Sequence, residues 1–298
     1  MALTECNTTV DQSGRELIEH GTLAFPIACY EDDFRIMDVP WHWHEEWEAV
    51  RITQGSCLVA AGNQKARLFA GDGFFIHSGV LHGCWDTENS GCRFHSLVFH
   101  HRLVGGSMDS IFHQQFVKPL TDHSSPELII LKPDIPWQNE ALQAIESAWQ
   151  NCVREDSGFP FQVRNALSQL VLLLCLHLSP TVPAVIGTGS RNVLRIKSML
   201  SWIHSHFDAE ATTADIAASA SVSESECLRC FRATIGTTPI QYLKQYRLRQ
   251  AAKLLAETQE KISDIAASCG FQDMSYFTRA FRKTMHCTPT QYRKNASL

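Results

Sequence analysis

The sequence predicts two unlike halves: an N-terminal all-β barrel followed by helices, and a C-terminal all-α domain made of two similar helical units. Three observations carry this. A block near the C-terminus is written twice, the charge reverses sign between the halves, and the N-terminal third alternates apolar stretches with glycine turns. A length of 298 residues suits two domains, and 44% hydrophobic residues are ample for their cores.

Residues 23–104 read as short strands. Ile52 to Val59, Phe74-Phe75-Ile76 and Arg93 to Phe99 are separated by Gly62-Asn63 and Gly71-Asp72-Gly73. Many short strands with glycine-rich turns predict a barrel or jelly roll. Within it His42, His44 and Glu48 are separated by even numbers, so on one strand they share a face. His82, from a neighbouring strand, completes a set of three imidazoles and one carboxylate. Such a set suits a divalent Fe, Mn, Ni, Cu or Zn ion without choosing among them; the bland alternative is a polar pocket that requires no cofactor. Trp41, Trp43, Trp47 and Trp85 surround these positions. Tryptophan's apolar face and N–H suit flat ligands such as sugars, but strand alternation equally puts these residues on the opposite face, against helices. His95, His100 and His101 read as ordinary core or surface histidines.

From residue 106 to 180 the pattern turns helical. Ala141, Leu142, Ile145, Ala148, Trp149 and Val153 make residues 140–154 amphipathic, while residues 161–178 are apolar on most sides. The most apolar run, 170–178, is too short to span a bilayer and reads as a buried helix. Pro183, Gly187, Thr188, Gly189 and Ser190 mark residues 181–190 as a linker. Eleven cysteines without framework spacing, and a start without a charged and then apolar leader, predict a reduced, cytoplasmic protein. Cys227 and Cys230 are spaced as CxxC, with no second pair at zinc spacing, and read as core thiols.

The repeat lies beyond residue 190. Asp215-Ile216-Ala217-Ala218-Ser219 returns as Asp264-Ile265-Ala266-Ala267-Ser268, and Phe231-Arg232 returns as Phe281-Arg282. The offset is 49 residues at first and 50 later, so one residue is inserted in the turn between the matching helices. Each copy reads as a short helix, a turn, and a second helix N-capped by Ser223 or Asp273. That is a helix-turn-helix, whose second helix can enter a DNA major groove. Thr238-Pro239 starts a long joining helix to about Ala256, with Ile240, Leu243, Leu248, Ala251, Ala252 and Leu255 as its apolar surface. Charge agrees: residues 191–298 carry 15 Lys+Arg against 9 Asp+Glu, while the residues before them carry 11 against 22. A basic reader joined to an acidic sensor fits that split.

Arg247-Leu248, Ala251, Ile262, Asp264-Ile265-Ala266, Gly270-Phe271, Tyr276-Phe277, Arg279, Phe281 and Thr288-Pro289 together resemble the AraC/XylS family of bacterial transcription regulators. His42-x-His44, Glu48 and Gly55 resemble the first cupin motif. Gly71, Gly79 and His82 resemble the second, with His77 and Asp86 where Pro and Asn are usual. One departure is His286, where the family has Gly and the first copy keeps Gly236.

The resemblance implies a cupin-like sensor over residues 1–105, a helical dimerisation segment over 106–180, and a DNA-binding domain over 191–298. It places Ser225, Leu228, Arg229, Ser275, Thr278 and Arg279 toward bases, and Arg232, Arg282 and Lys283 toward phosphates. The implied partners are double-stranded DNA, RNA polymerase, a second copy of the chain and a small-molecule effector, with no membrane and no enzymatic activity. The alternatives are a cupin metalloenzyme carrying a DNA-binding domain, and a constitutive DNA-binding protein with a structural barrel.

Overall fold

The computed structural model describes residues 10–11, 14–34, 39–62, 64–121, 126–178 and 188–296. The chain divides into two compact units, one built mainly from residues 15–191 and the other from 192–298.

The first unit holds two antiparallel sheets. One has β1 (Ile27–Asp33), β8 (Arg93–Phe99), β3 (Trp47–Gln54), β6 (Gly73–Ile76) and β9 (Leu128–Leu131), in that spatial order. The other has β2 (Val39–His42), β7 (His82–Trp85), β4 (Ser56–Ala61) and β5 (Gln64–Phe69). Strand alternation separates two cores. On β3, Trp47 and Ala49 face one way, joining Phe75, Leu97 and Phe99 beneath helices. Val50 and Ile52 face the other way, joining Cys57, Val59, Leu68, Phe74, Ile76 and Phe94 between the sheets. Glu48 shares their parity and therefore points into the barrel. Between β3 and β4 the chain turns at Gly55 (φ 68°), where a Cβ would stand 2.9 Å from the Cys92 Cα.

Short helices α1 (Arg102–Gly105) and α2 (Lys118–Thr121), with a π-helical turn at His113–Val117, lead to β9. Two long helices follow, α3 (Pro136–Arg154) and α4 (Phe159–His177). α3 buries Ala141, Leu142, Ile145, Ala148 and Trp149, and the Trp149 indole donates to the Tyr30 carbonyl at 2.8 Å. α4 is long and apolar enough to cross a membrane by composition. Val163, Leu167, Leu170, Val171, Leu173 and Leu174 are, however, buried in one core with α3 and the five-stranded sheet, which accounts for the apolarity.

The second unit is helical: α5 (Thr188–Ser205), α6 (Thr213–Ser219), α7 (Glu224–Thr234), α8 (Pro239–Glu257), α9 (Ile262–Ser268), α10 (Met274–Met285) and α11 (Pro289–Ala296). Thr212 and Asp215 form a reciprocal capping box on α6, Ser223 caps α7, Thr238 caps α8, and Asp273 caps α10 through two backbone N–H groups. Phe231 with Cys227 and Cys230, and Phe277 with Ala280 and Phe281, are buried where the repeat placed them.

The structure differs from the sequence reading in four places. His42, His44 and Glu48 do not share a strand: His42 ends β2, His44 lies in the crossing between sheets, and Glu48 is on β3. Strand β9 lies inside the stretch read as helical, because the four-residue run Leu128-Ile129-Ile130-Leu131 carries no helical period and pairs with β6. Helix α5 begins at Thr188, inside the expected linker, whose residues 181–187 lie outside the described ones. Ile240, read as part of the apolar surface of α8, is 40% exposed.

Candidate functional site

The crossing from β2 to β3 gathers the pocket. Antiparallel pairing sets His42 opposite His82, β3 carries Glu48 inward, and His44 is held between by its own carbonyl, which accepts from the Gly79 N–H at 2.7 Å. The ligand atoms of His42, His44, Glu48 and His82 all lie within 4.8 Å of one another, and all four residues are buried. Ring centroids of His42 and His82 are 4.2 Å apart.

Backbone carbonyls fix the tautomers. Nδ1 of His42 faces the Pro40 carbonyl at 2.9 Å, Nδ1 of His44 faces that of Glu46 at 3.1 Å, and Nδ1 of His82 faces that of Val80 at 2.8 Å. A carbonyl only accepts, so each Nδ1 carries the proton and each Nε2 turns a lone pair inward. His82 Nε2 then stands 2.9 Å from Glu48 Oε2, and His44 Nε2 stands 3.9 Å from the same oxygen. Yet neither Nε2 nor Glu48 Oε2 has a hydrogen-bond partner, because lone pairs face one another. Such a centre can hold a cation. One proton would satisfy a single contact; a divalent metal fits all four donors.

Electrostatics agrees. Burial, reinforced by neighbouring His82, drives the His42 imidazole down to about 3, so it stays neutral at physiological pH. Burial acts to raise the Glu48 carboxyl; only with a proton on Nε2 do the His44 and His82 imidazoles outweigh it and hold the group well below its ordinary value, so the carboxylate too requires positive charge at this centre.

Two further residues close the pocket, and sequence reasoning missed both. The Glu16 N–H donates to the Trp43 carbonyl at 2.9 Å, and its carboxylate Oε2 lies 3.8 Å from His42 Nε2 and 3.1 Å from His20 Nε2. His20 Nδ1 meets the Tyr30 hydroxyl at 2.8 Å. Segment 15–20 is irregular, so no periodicity announces which of its side chains turn inward. The remaining cavity, bounded also by Tyr30, Asp32 and Ser96, is only about 20 Å³. None of the four tryptophans lines it, which removes the basis for a sugar stacked on Trp. Trp47 packs edge-on to Phe75 and Phe99 outside the barrel, and Trp41 packs on Trp85. Asp86 accepts four hydrogen bonds that shape the loop before β8.

In the second unit, Ser225, Arg229 and Arg232 are exposed at positions i, i+4 and i+7 of α7, with Leu228 half-buried beside them. Ser275, Arg279 and Arg282 repeat that face on α10, with Thr278 half-buried and Lys283 exposed. Each second helix thus presents a polar, cationic strip opposite its buried phenylalanine.

A two-sheet domain with a buried polar cluster, followed in the chain by two helix-turn-helix units, is matched in known proteins. Residues 25–171 match the AraC-like ligand binding domain, and residues 216–295 match a helix-turn-helix domain. The HTH-type transcriptional activator RhaR of Mannheimia succiniciproducens is 32% identical over 254 residues, 85% of this chain and 87% of that protein. The chain belongs to the AraC family of transcription regulators. Another relative, the HTH-type transcriptional regulator YdeC of Bacillus subtilis, is 29% identical over 97% of this chain and 98% of its own length. ToxT from Vibrio cholerae O395 is a solved structure 12% identical over 90% of this chain and 96% of its own, with a TM-score of 0.43. In this AraC-family chain the barrel is the ligand-binding domain and the helical unit is the DNA-binding domain.

Proposed function

We propose that this AraC-family regulator senses its effector through a divalent metal held by His42, His44, Glu48 and His82. The observation that carries the reading is the convergence of three oriented Nε2 lone pairs and one carboxylate on a buried point. Burying such groups without a partner costs several kcal/mol, roughly, which is a poor use of a purely structural barrel. A bound metal supplies a Lewis-acidic contact for an effector oxygen; the chain's own residues orient, desolvate and enclose that contact. Regulation rather than catalysis is the output, a reading supported by the helix-turn-helix domain in the same chain and by relatives that are transcription regulators.

On the DNA side, Ser225, Leu228, Arg229, Ser275, Thr278 and Arg279 face base edges, while Arg232, Arg282 and Lys283 neutralise phosphates. Helix α8, about 28 Å long at ~1.5 Å per residue, spaces the two units for neighbouring major-groove segments about 10 bp apart. The regulator works as a homodimer in the bacterial cytoplasm and acts on RNA polymerase. Phe161 and Leu176, exposed on α4, are the apolar surface offered to a second copy.

Metal analysis of the purified full chain tests the pocket. The expected result is about one Fe, Mn, Ni, Cu or Zn per chain, lost from His44→Ala and Glu48→Ala, with a lower Tm after chelation. Wild-type protein that takes up no metal on reconstitution with Zn, Ni, Co or Mn, and whose promoter response survives both substitutions, makes the barrel structural.

A further inference from the structure

The open space beside Glu16, His42 and Glu48 is about 20 Å³, room for an ion or roughly one ordered water but not for a metabolite. Whatever effector enters must replace something already there. The residue best placed to be replaced is Glu16.

Its carboxylate is nine-tenths buried and is the acidic group brought over the imidazoles from outside the barrel's strands. It is received by a built arrangement. Glu16 Oε2 only accepts, so His20 Nε2 carries a proton and donates to it at 3.1 Å. With that proton on Nε2, His20 Nδ1 accepts from the Tyr30 hydroxyl at 2.8 Å. The relay from Tyr30 through His20 therefore delivers a donor to one oxygen of a carboxylate, and His42 Nε2 lies 3.8 Å from the same oxygen. The His20 ring also packs edge-on against His44 at 5.3 Å, so the relay touches the ligand set itself. The whole is a receptor for a carboxylate, filled by the chain's own side chain.

The segment that carries Glu16 is held lightly. It forms no strand of either sheet: its backbone is tied by isolated bridges of Arg15 to Trp43 and of Glu16 to Val10. Arg15 lies over the Trp43 ring at 5.8 Å and pairs with Glu45 at 2.9 Å on the surface, where ion pairs are worth little. Leu17 is 61% exposed and Leu23 is 85% exposed, so neither anchors the segment in a core. Glu16, Ile18 and His20 face inward at alternate positions, and Ile18, half-buried against the pocket, is the apolar anchor between the two polar groups.

We propose that Glu16 is a tethered stand-in for the effector, and that the effector is a small carboxylate that takes over its place beside His20 and His42. The inference rests on the metal-holding reading of the same pocket. A carboxylate ligand restores the acceptor that the relay requires, and its second oxygen or an adjacent hydroxyl or keto oxygen reaches the metal position. A neutral polyol would leave the His20 donor facing a weaker acceptor and the cationic centre without its counter-charge. Asp32 and Ser96, joined at 3.2 Å on the far wall, provide polar partners for the rest of the molecule. Because Glu16 is tethered, it competes at high effective concentration, and its removal unmasks the receptor.

The experiment uses the full chain loaded with Co(II), whose visible spectrum reports its coordination sphere. Wild type, Glu16→Gln and Glu16→Ala are titrated with acetate, lactate and malonate, and with 1,2-propanediol and glucose as neutral probes. Carboxylates are expected to perturb the spectrum of Glu16→Ala with at least about tenfold tighter apparent affinity than wild type, neutral probes being ineffective in both. Glu16→Gln, which keeps shape but not charge, should fall between them. In wild type, saturating carboxylate should speed hydrogen exchange at the Glu16 amide, which leaves its Trp43 carbonyl. Co(II) uptake with no carboxylate response in any variant, or an equal response to neutral probes, overturns this inference alone. Failure to take up Co(II) overturns the metal reading and this inference with it.

Discussion

The two helix-turn-helix units are copies of one plan that differ along their second helices. In the first, Arg229 is held by its own helix: Glu226 accepts from its Nε at 2.8 Å and its Nη2 at 2.6 Å, and also pairs with Arg195 at 2.8 Å. In the second, the position matching Glu226 is Tyr276, whose ring receives the Lys244 ammonium at 4.8 Å and offers no carboxylate. Arg229 is thus oriented in advance and partly neutralised, while Arg279 has no carboxylate at the matching position of its own helix. The left-handed positions are exchanged as well. The first unit turns on Ser221 (φ 54°) and ends its second helix with Gly236 (φ 87°); the second turns on Gly270 (φ 76°) and ends with His286 (φ 58°). The two copies keep one scaffold, and the surroundings of the matching arginines differ; the expectation to test is that Arg279 discriminates bases more strongly than Arg229.

The harshest break is at the joint. Leu248 is fully buried midway along α8, where proline removes a backbone hydrogen bond and clashes with the preceding turn. Leu248→Pro should cost about 3 kcal/mol or more and abolish both halves of the footprint together. A variant that still protects either groove segment at wild-type concentration would mean the units do not depend on a common strut.

Gly270→Ala comes next. A Cβ there would stand 2.8 Å from the Phe207 carbonyl and 2.9 Å from the Arg247 guanidinium, which is itself anchored to the Phe207 and Ala209 carbonyls. Adding a left-handed penalty of about 1–2 kcal/mol to that overlap should lower the second unit's stability by about 2–4 kcal/mol. Chemical denaturation of residues 188–298 followed by tyrosine fluorescence reads this. Loss below about 1 kcal/mol would show that Arg247 gives way freely.

Arg279→Ala should lose about 1–3 kcal/mol at one base pair and flatten preference there, with Arg229→Ala losing less because its fork is already engaged. Binding to a randomised operator library measures both. Equal losses would erase the expected difference between the two arginines.

Glu226→Gln sharpens the same point. Releasing Arg229 should strengthen binding to all sequences a few-fold and steepen the salt dependence by about one phosphate's worth. The Arg229 side-chain bonds to Glu226 draw its carboxyl down to about 2. A depressed pKa leaves the pair intact above that value and weakens it only as pH falls toward 2. Operator affinity should therefore show no Glu226-dependent change between pH 5 and 8 (a range set by histidine titration). An unchanged salt slope in Glu226→Gln would mean the carboxylate lies outside the DNA field.

Much of this was legible in the sequence, for unequal reasons. The repeat is local, so helices, caps and buried phenylalanines followed from it. The pocket quartet was legible through spacing, although even separations on one strand are not what unites it; the chain crosses between sheets and meets His82 by register. Glu16 and His20 were not legible, because an irregular segment's inward side chains are decided by the surface it lies on. The four apolar residues of β9 were too short a run to separate strand from helix. The Glu226–Arg229 pair was readable at i, i+3, where opposite charges meet on one helix face, as the alternative to a base contact.

The smallest effects test the exchanged left-handed positions. Ser221 and His286 are both exposed and both adopt positive φ, a conformation that costs an L-residue about 1–2 kcal/mol. Glycine removes that strain but adds unfolded-chain freedom, so Ser221→Gly and His286→Gly should each gain roughly 0.5–1 kcal/mol. The two sites are not alike in surroundings. Ser221 follows a turn in which its N–H donates to the Ala218 carbonyl at 3.0 Å, whereas His286 ends α10, where glycine is the usual stop. Because the substitutions lie in separate units, their gains should add in the double variant, read as a rise in Tm by calorimetry. A loss of stability in His286→Gly would instead show that the imidazole makes a contact worth more than the strain it carries, and the first unit's Gly236 would then be the weaker cap.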